Sequence, residues 1–228
     1  MLARGSVNGA LSTEPGAGMQ AKQQGKPEDF MLPRDIDPES RCRLPLIRRE
    51  ALDEEDRHIF DSLTDPNGGT IRGLKGPAGI LLHSPALFHA TRPATRYLRF
   101  EAQESPRIRE IAILIAARMC DSRFEWAAHE PEALRAGVPA KVIDVIKHNR
   151  RVAGLDDTDQ IIVTLGREAI GKRKVSSKTY ARALKRFGAR GLIDLVALIG
   201  NYASTAILLT VFDMQLDDGK DVARLPMA

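Results

Sequence analysis

The clearest periodicity in the chain lies between Ser105 and Met119. Ile108, Ile111, Ala112, Ile115, Ala116 and Met119 recur at helical spacing. Ser105-Pro106 supplies a cap followed by proline at the first helical position. A second stripe, Ile113, Leu114 and Ala117, is also apolar, so this helix is expected to be buried on most sides. Glu110 falls in line with that second stripe, one turn before Ile113 and Leu114. Its carboxylate is therefore expected to face packed protein rather than open water.

The pattern predicts helices on either side. Asp53 caps a helix over Glu54 to Leu63, with Ile59, Phe60 and Leu63 on one face. Asp65 to Gly79 holds five glycines and two prolines and reads as a long loop. No strand precedes those glycines and they form neither GxxxxGK[ST] nor GxGxxG, so a phosphate cradle is rejected. Ser84-Pro85 opens a helix to about Phe100, with a break expected near Pro93. Cys120-Asp121 turns the chain after the central helix. Ser122 to Glu125 spells S-x-x-E, a capping box, and opens a helix that Pro131 is expected to kink and Gly137 ends. Val138-Pro139 starts another helix to about His148, and Asp156 or Thr158 caps the next. Ser176-Ser177 opens a basic helix to Phe187, and Gly191 to Phe212 is a mainly apolar run of 22 residues. No useful alternation of strand type occurs. The fold class expected is all-α, a compact helical bundle.

Composition adds limits. The first forty residues are rich in Gly, Pro, Gln, Ser and charge, so 1–40 is expected to be a flexible tail and 41–228 a single helical domain. At 228 residues, with 43% hydrophobic and 28% charged, the chain is an ordinary globular one. Two cysteines, Cys42 and Cys120, lie far apart without a CxxC pairing, and no signal-peptide core is evident, so a reducing, cytoplasmic setting is expected. Between Arg167 and Arg190 nine Lys/Arg face one acidic residue, Glu168. Without interleaved aromatics or a DNA-binding motif, this reads as a solvated face, and no nucleic-acid partner is expected. Gly191 to Phe212 is long enough to span a membrane. Asp194 and Asn201 inside it, and the lack of flanking aromatic belts, favour a core or subunit-interface helix instead, so no membrane partner is expected.

The candidate chemistry sits on two successive helices. Glu125 and His129 are four residues apart and share a helical face. Glu110 approaches them because the short turn at Cys120-Asp121 forces the helices antiparallel. Two carboxylates flanking an imidazole form a proton-transfer unit. Each residue also has a structural explanation taken singly. Glu125 is the N3 member of the capping box, Glu110 complements the positive end of its helix, and His129 pairs with Glu125. Glu125 to His129 lacks the i, i+3 spacing of a di-iron bundle site, and HExxH is absent, so neither metal nor cofactor is expected.

Arg109-Glu110-Ile111-Ala112-Ile113-Leu114, then Phe124-Glu125-Trp126-Ala127-Ala128-His129, then Ala136-Gly137-Val138-Pro139, resembles the carboxymuconolactone decarboxylase family of the alkyl hydroperoxidase D-like superfamily. Gly76-Pro77, Leu81-Leu82-His83-Ser84-Pro85 and Gly200-Asn201-Tyr202 add to the likeness, which spans about residues 43–216. It implies a helical bundle assembling into trimers or hexamers, with Gly191 to Phe212 as an interface element. In the peroxidase branch a glutamate on one helix precedes CxxC and a histidine on the next. Glu110 and His129 take the glutamate and histidine places, while Ser122 and Glu125 stand at the two cysteine places. Peroxide reduction needs a thiolate and a resolving thiol, so thiol peroxidase activity is disfavoured.

The activity implied is that of a cofactor-independent lyase, decarboxylating a small carboxylated lactone or unsaturated acid of the aromatic-catabolism type. Glu110, Glu125 and His129 would be catalytic, with His129 held by Glu125. Trp126 would wall the pocket, and His83 and Arg72 are substrate-binding candidates by resemblance alone. Another acid-base enzyme on the same scaffold (a hydrolase, dehydratase or isomerase) stays open. So does a non-catalytic oligomeric ligand-binding protein.

Overall fold

The computed structural model describes residues 32–65, 71–216 and 225–226. The expected tail over residues 1–31 lies outside the described residues. The described residues form eight α-helices in order: α1 (Glu54–Thr64), α2 (Pro77–Leu81), α3 (Pro85–Arg96), α4 (Pro106–Met119), α5 (Arg123–Arg135), α6 (Ala140–Lys147), α7 (Asp157–Gly166) and α8 (Ser177–Val211). The described residues contain no strand, and the fold is all-α.

The helix starts follow the caps in the sequence. The side chains of Asp53, Ser105, Ser122, Asp156 and Ser176 each accept a backbone N–H from the first turn of their helix. α4 is the central post. Ile108 and every residue from Ile111 to Arg118 are buried, and α5, α6, α7 and α8 all pack against it. Each fully buried Ile or Leu there contributes about 1.5–3 kcal/mol relative to exposure, so this helix anchors the core. The two faces of α4 that periodicity marks as apolar are both needed because four helices surround it.

Three details depart from the sequence expectation. Within residues 32–40, Ile36 and Ser40 are buried, as is Cys42 just beyond them, while Pro33, Arg34, Asp35, Pro38 and Glu39 are exposed. Asp37 Oδ1 accepts the Glu39 and Ser40 amides, and the Arg43 N–H donates to the Phe212 carbonyl at 2.9 Å. Side-chain and backbone hydrogen bonds hold a segment whose composition alone offers little apolar area. The glycine-rich stretch after Asp65 is also not a loop throughout, because α2 begins at Pro77 behind Gly76.

Pro93 does not break α3; the helix runs through it to Arg96 and then widens into a π-turn over Tyr97–Glu101. At Gly188, where φ is 66° and ψ 176°, the backbone leaves the helix. That left-handed backbone is strained for any residue with a Cβ, and it divides α8 into a basic arm over 177–187 and an apolar arm over 189–211. The two helices expected from the sequence, one to Phe187 and one from Gly191, stand on either side of this non-helical glycine.

Candidate active site

α4 ends in a left-handed turn: Asp121 has φ 49°, and the Ser122 N–H donates to the Ala117 carbonyl at 2.9 Å. This turn sets α5 antiparallel to α4 and has a second consequence. In a full capping box the Glu125 carboxylate would accept the Ser122 N–H. Here that donor is already spent on Ala117. Ser122 Oγ still accepts the Glu125 amide at 3.4 Å, so only half of the box forms. The Glu125 carboxylate turns to His129 instead.

The imidazole of His129 stands between two carboxylates. Nδ1 hydrogen-bonds Glu110 Oε2 at 2.9 Å, and Nε2 lies 3.6 Å from Glu125 Oε2. Nδ1 thus faces Glu110 and Nε2 faces Glu125. The side chains are 4% exposed for His129, 4% for Glu125 and 13% for Glu110. Glu110 is thus the partner nearest solvent. It is also the carboxylate that holds the ring; the expectation that Glu125 would hold it is reversed by the 2.9 against 3.6 Å geometry.

Burial pushes the Glu125 carboxyl above the ordinary carboxylate range, with His129 and Arg99 opposing the rise and Glu110 adding to it. A carboxyl whose proton is held more tightly by burial, beside an imidazole nitrogen, is suited to exchanging that proton with the ring. The arrangement can therefore move a proton between Glu125, His129 and Glu110 inside protein of low dielectric.

Two further side chains complete the cluster. Tyr202, on the buried face of α8, packs edge-on to the His129 ring with centroids 5.0 Å apart at 90°. Burial drives its phenol pKa up, so it stays neutral and fixes the ring plane. Arg99, on the π-turn, is the cation whose field reaches both Glu125 and Tyr202. Tyr202 had a signal in the sequence, since it shares a helical face with Leu195, Leu198 and Leu209 and belongs to the Gly200-Asn201-Tyr202 run. Arg99 had none, because its placement depends on the π-turn.

The structure brings Glu110, Glu125 and His129 together; the other three candidates lie elsewhere. Trp126 is wholly buried in the main core, where its Nε1–H donates to Glu130 Oε2 at 2.7 Å and Lys147 Nζ sits 5.7 Å from the ring centroid. His83 is exposed, with Nε2 3.0 Å from the Pro45 carbonyl oxygen. It lines a groove of about 390 Å³ together with Asp37, Glu39, Pro45, Leu46 and Arg48. That groove contains none of Glu110, Glu125 and His129. The Arg72 guanidinium lies 5.6 Å from the centre of the Phe124 ring.

Among the described residues no group of three or more His, Cys, Asp or Glu side chains converges for a metal ion. Glu110 and Glu125 sit at opposite nitrogens of one ring, so their oxygens do not share a coordination centre. Cys120 is half-buried, and burial together with Asp121 pushes its thiol up, which leaves little thiolate. No known family model matches this sequence, and no curated protein matches it.

Proposed function

We propose that this chain is an acid-base lyase of the carboxymuconolactone decarboxylase kind, within an alkyl hydroperoxidase D-like helical bundle, working without a cofactor. The observation that carries the reading is the carboxylate–imidazole–carboxylate array, buried at Glu125 and His129 and 13% exposed at Glu110. The half-formed capping box supports it. With the Ser122 N–H held by Ala117, the Glu125 carboxylate is left facing the imidazole.

In the proposed reaction the substrate carboxylate leaves as CO2, and its bonding pair moves into a conjugated carbonyl to give a dienolate. The dienolate carbon then takes a proton from the Glu125–His129 pair. His129 recovers a proton along its Nδ1 side, where Glu110 reaches solvent. Glu110 keeps the ring oriented, Tyr202 holds its plane, and the buried setting strengthens each interaction. The substrate class is a small carboxylated lactone or unsaturated acid from aromatic breakdown, and the setting is cytoplasmic. The exposed apolar stripe of α8, with Ile193, Val196, Ile207 and Val211, supports assembly into a homo-oligomer, a trimer or hexamer. By length and composition α8 could also cross a membrane. Its inner face packs Leu195, Leu198, Ile199 and Tyr202 into the core, which favours the subunit-contact reading.

The test is a screen of small carboxylated lactones and unsaturated acids, followed by CO2 release, with His129→Gln alongside. Release by the wild type and its loss in the variant is the expected result. A second reading, a non-catalytic ligand-binding protein, is favoured by one observation: the 390 Å³ groove lies away from the array. Ligand binding without CO2 release, unaltered in His129→Gln, would establish that reading.

A further inference from the structure

Three helices finish at the same end of the bundle, each in a turn built on a left-handed residue other than glycine. α4 is followed by Asp121 with φ 49°, and α6 by Asn149 with φ 51°. α7 runs into a second π-turn, Arg167–Gly171, and then Arg173 with φ 53°. Close contacts hold these turns together. A Cβ on Gly166 would stand 2.7 Å from the Ile115 side chain, and one on Gly171 would stand 3.4 Å from Met119 Sδ. α7 and its π-turn therefore run alongside the last turns of α4. Arg167 bridges onward to α6: Nη1 donates to the Arg150 carbonyl at 2.8 Å and Nη2 to the Val145 carbonyl at 2.9 Å. The segment after the π-turn is fixed by Glu168, whose Oε2 accepts the Ser176 amide at 2.9 Å and whose carbonyl accepts the Lys174 amide at 3.1 Å.

Helix carbonyl ends attract cations, and two of the arginines here serve that need. Arg118 is buried in the last turn of α4 and pairs with Asp121, while Arg167 caps α6. Beyond them, Arg123, Arg150, Arg151, Lys172, Arg173 and Lys174 are exposed on the same turns. Asp121 is the one exposed acid within residues 118–123, 147–151 and 167–174. Arg150 pairs with Asp144, and Lys172 lies 3.8 Å from Glu168. The side chains of Arg123, Arg151, Arg173 and Lys174 make no hydrogen bond or ion pair among the described residues. The whole chain carries only +4, so positive charge is concentrated at this end rather than spread. Crowded like charges repel, and a polyanion relieves that cost. Only Lys172, Arg173 and Lys174 belong to the basic stretch seen in the sequence. The expectation of no nucleic-acid partner rested on that stretch by itself; folding brings Arg123, Arg150 and Arg151 beside it.

We propose that this end of the bundle binds the phosphate backbone of a nucleic-acid duplex without reading its sequence. The three turns expose no aliphatic side chain and no Phe, Tyr or Trp. A membrane-surface site presents apolar side chains for insertion. The core of a protein interface is rich in aromatics and poor in lysine, and a single-strand site stacks bases on aromatic rings. Cations without such neighbours suit phosphates, whose contacts position a duplex but carry no sequence information. The inference is independent of the lyase reading.

Fluorescence anisotropy of a labelled mixed-sequence DNA duplex of about 20 base pairs, titrated with the full chain between about 50 and 200 mM salt, tests it. The four unpaired cations predict a slope of log K against log salt of about −3.6. The variant Arg151→Gln/Arg173→Gln/Lys174→Gln should bind at least about tenfold more weakly at the lowest salt, with a slope shallower by about 2.7. Arg151→Gln alone should be shallower by about 0.9, and far-UV circular dichroism checks that both variants are folded. Absence of binding by the wild type at about 50 mM salt overturns the proposal. So does a slope that the variants leave unchanged, or tighter binding of a single strand of equal length. Binding of phosphatidylserine vesicles without binding of the duplex overturns it in favour of a lipid surface.

Discussion

Glu110 on α4 holds the His129 ring on α5 through a 2.9 Å contact to Nδ1, across a turn of three residues. It fixes which nitrogen faces the buried Glu125. Glu110→Gln can still meet the ring but no longer supports a positive charge on it. Its catalytic rate should fall by about 10²–10⁴-fold, the usual worth of a positioned acid-base group. The circular dichroism spectrum should be unchanged. Full activity in a folded Glu110→Gln variant would falsify the proton-transfer scheme.

Glu125 gives a pH signature. Burial raises its folded pKa above the ordinary 4.5, so between those two values the folded protein holds more protons than the unfolded chain. Its contribution to stability is therefore greatest below about pH 4.5 and is lost as pH rises through the folded value. Glu125→Gln cannot ionise. Its urea midpoint relative to wild type should climb between pH 4.5 and pH 8, and two parallel pH profiles would show that Glu125 is not strained by burial.

Away from the site, Arg107 on α4 grips Asp159 on α7 with two hydrogen bonds of 2.8 and 2.6 Å. The Asp159 carboxylate is 1% exposed and Arg107 27%. Burial pushes Asp159 up while Arg107 pulls it back; the Arg107 guanidinium itself is raised by the same hydrogen bonds. The two shifts point opposite ways for stability, and the burial of Asp159 decides. Arg107→Ala leaves a buried carboxylate unpaired and should cost about 3 kcal/mol in urea unfolding. The double variant Arg107→Ala/Asp159→Ala should cost less than the single one, and a larger loss would contradict this account.

The α8 stripe predicts assembly. Ile193 is 67% exposed and Ile207 64%, and Ala197 and Gly200 between them allow another helix to approach closely. Light scattering should give an oligomer for the wild type, and a charge at either position (Ile193→Glu, Ile207→Glu) should shift it to monomer. A monomeric wild type ends the subunit-contact reading.

Much of the fold was legible from local signals. The caps at Asp53, Ser105, Ser122, Asp156 and Ser176, and the two apolar faces of α4, are properties of neighbouring residues. Residues a few positions apart either satisfy a helix end or they do not. The Glu125–His129 pair was legible for the same reason, being a matter of helical spacing. That Glu110 joins it was inferable from the short turn.

What distance in sequence hides, only the tertiary structure decided. The amide of Ser122 is claimed by Ala117, and that frees Glu125 from its cap. Tyr202 comes from α8 to fix the imidazole, and Arg99 comes from a π-turn that no local pattern announces. Trp126, adjacent to Glu125 in sequence, turns into the core, while His83 goes to a separate groove. Side-chain spacing sets which groups share a helix face, but packing between helices sets which faces meet. The sequence by itself therefore determined an all-helical protein with a glutamate–histidine pair. The packing around α4 determined that Glu110, not Glu125, holds the ring.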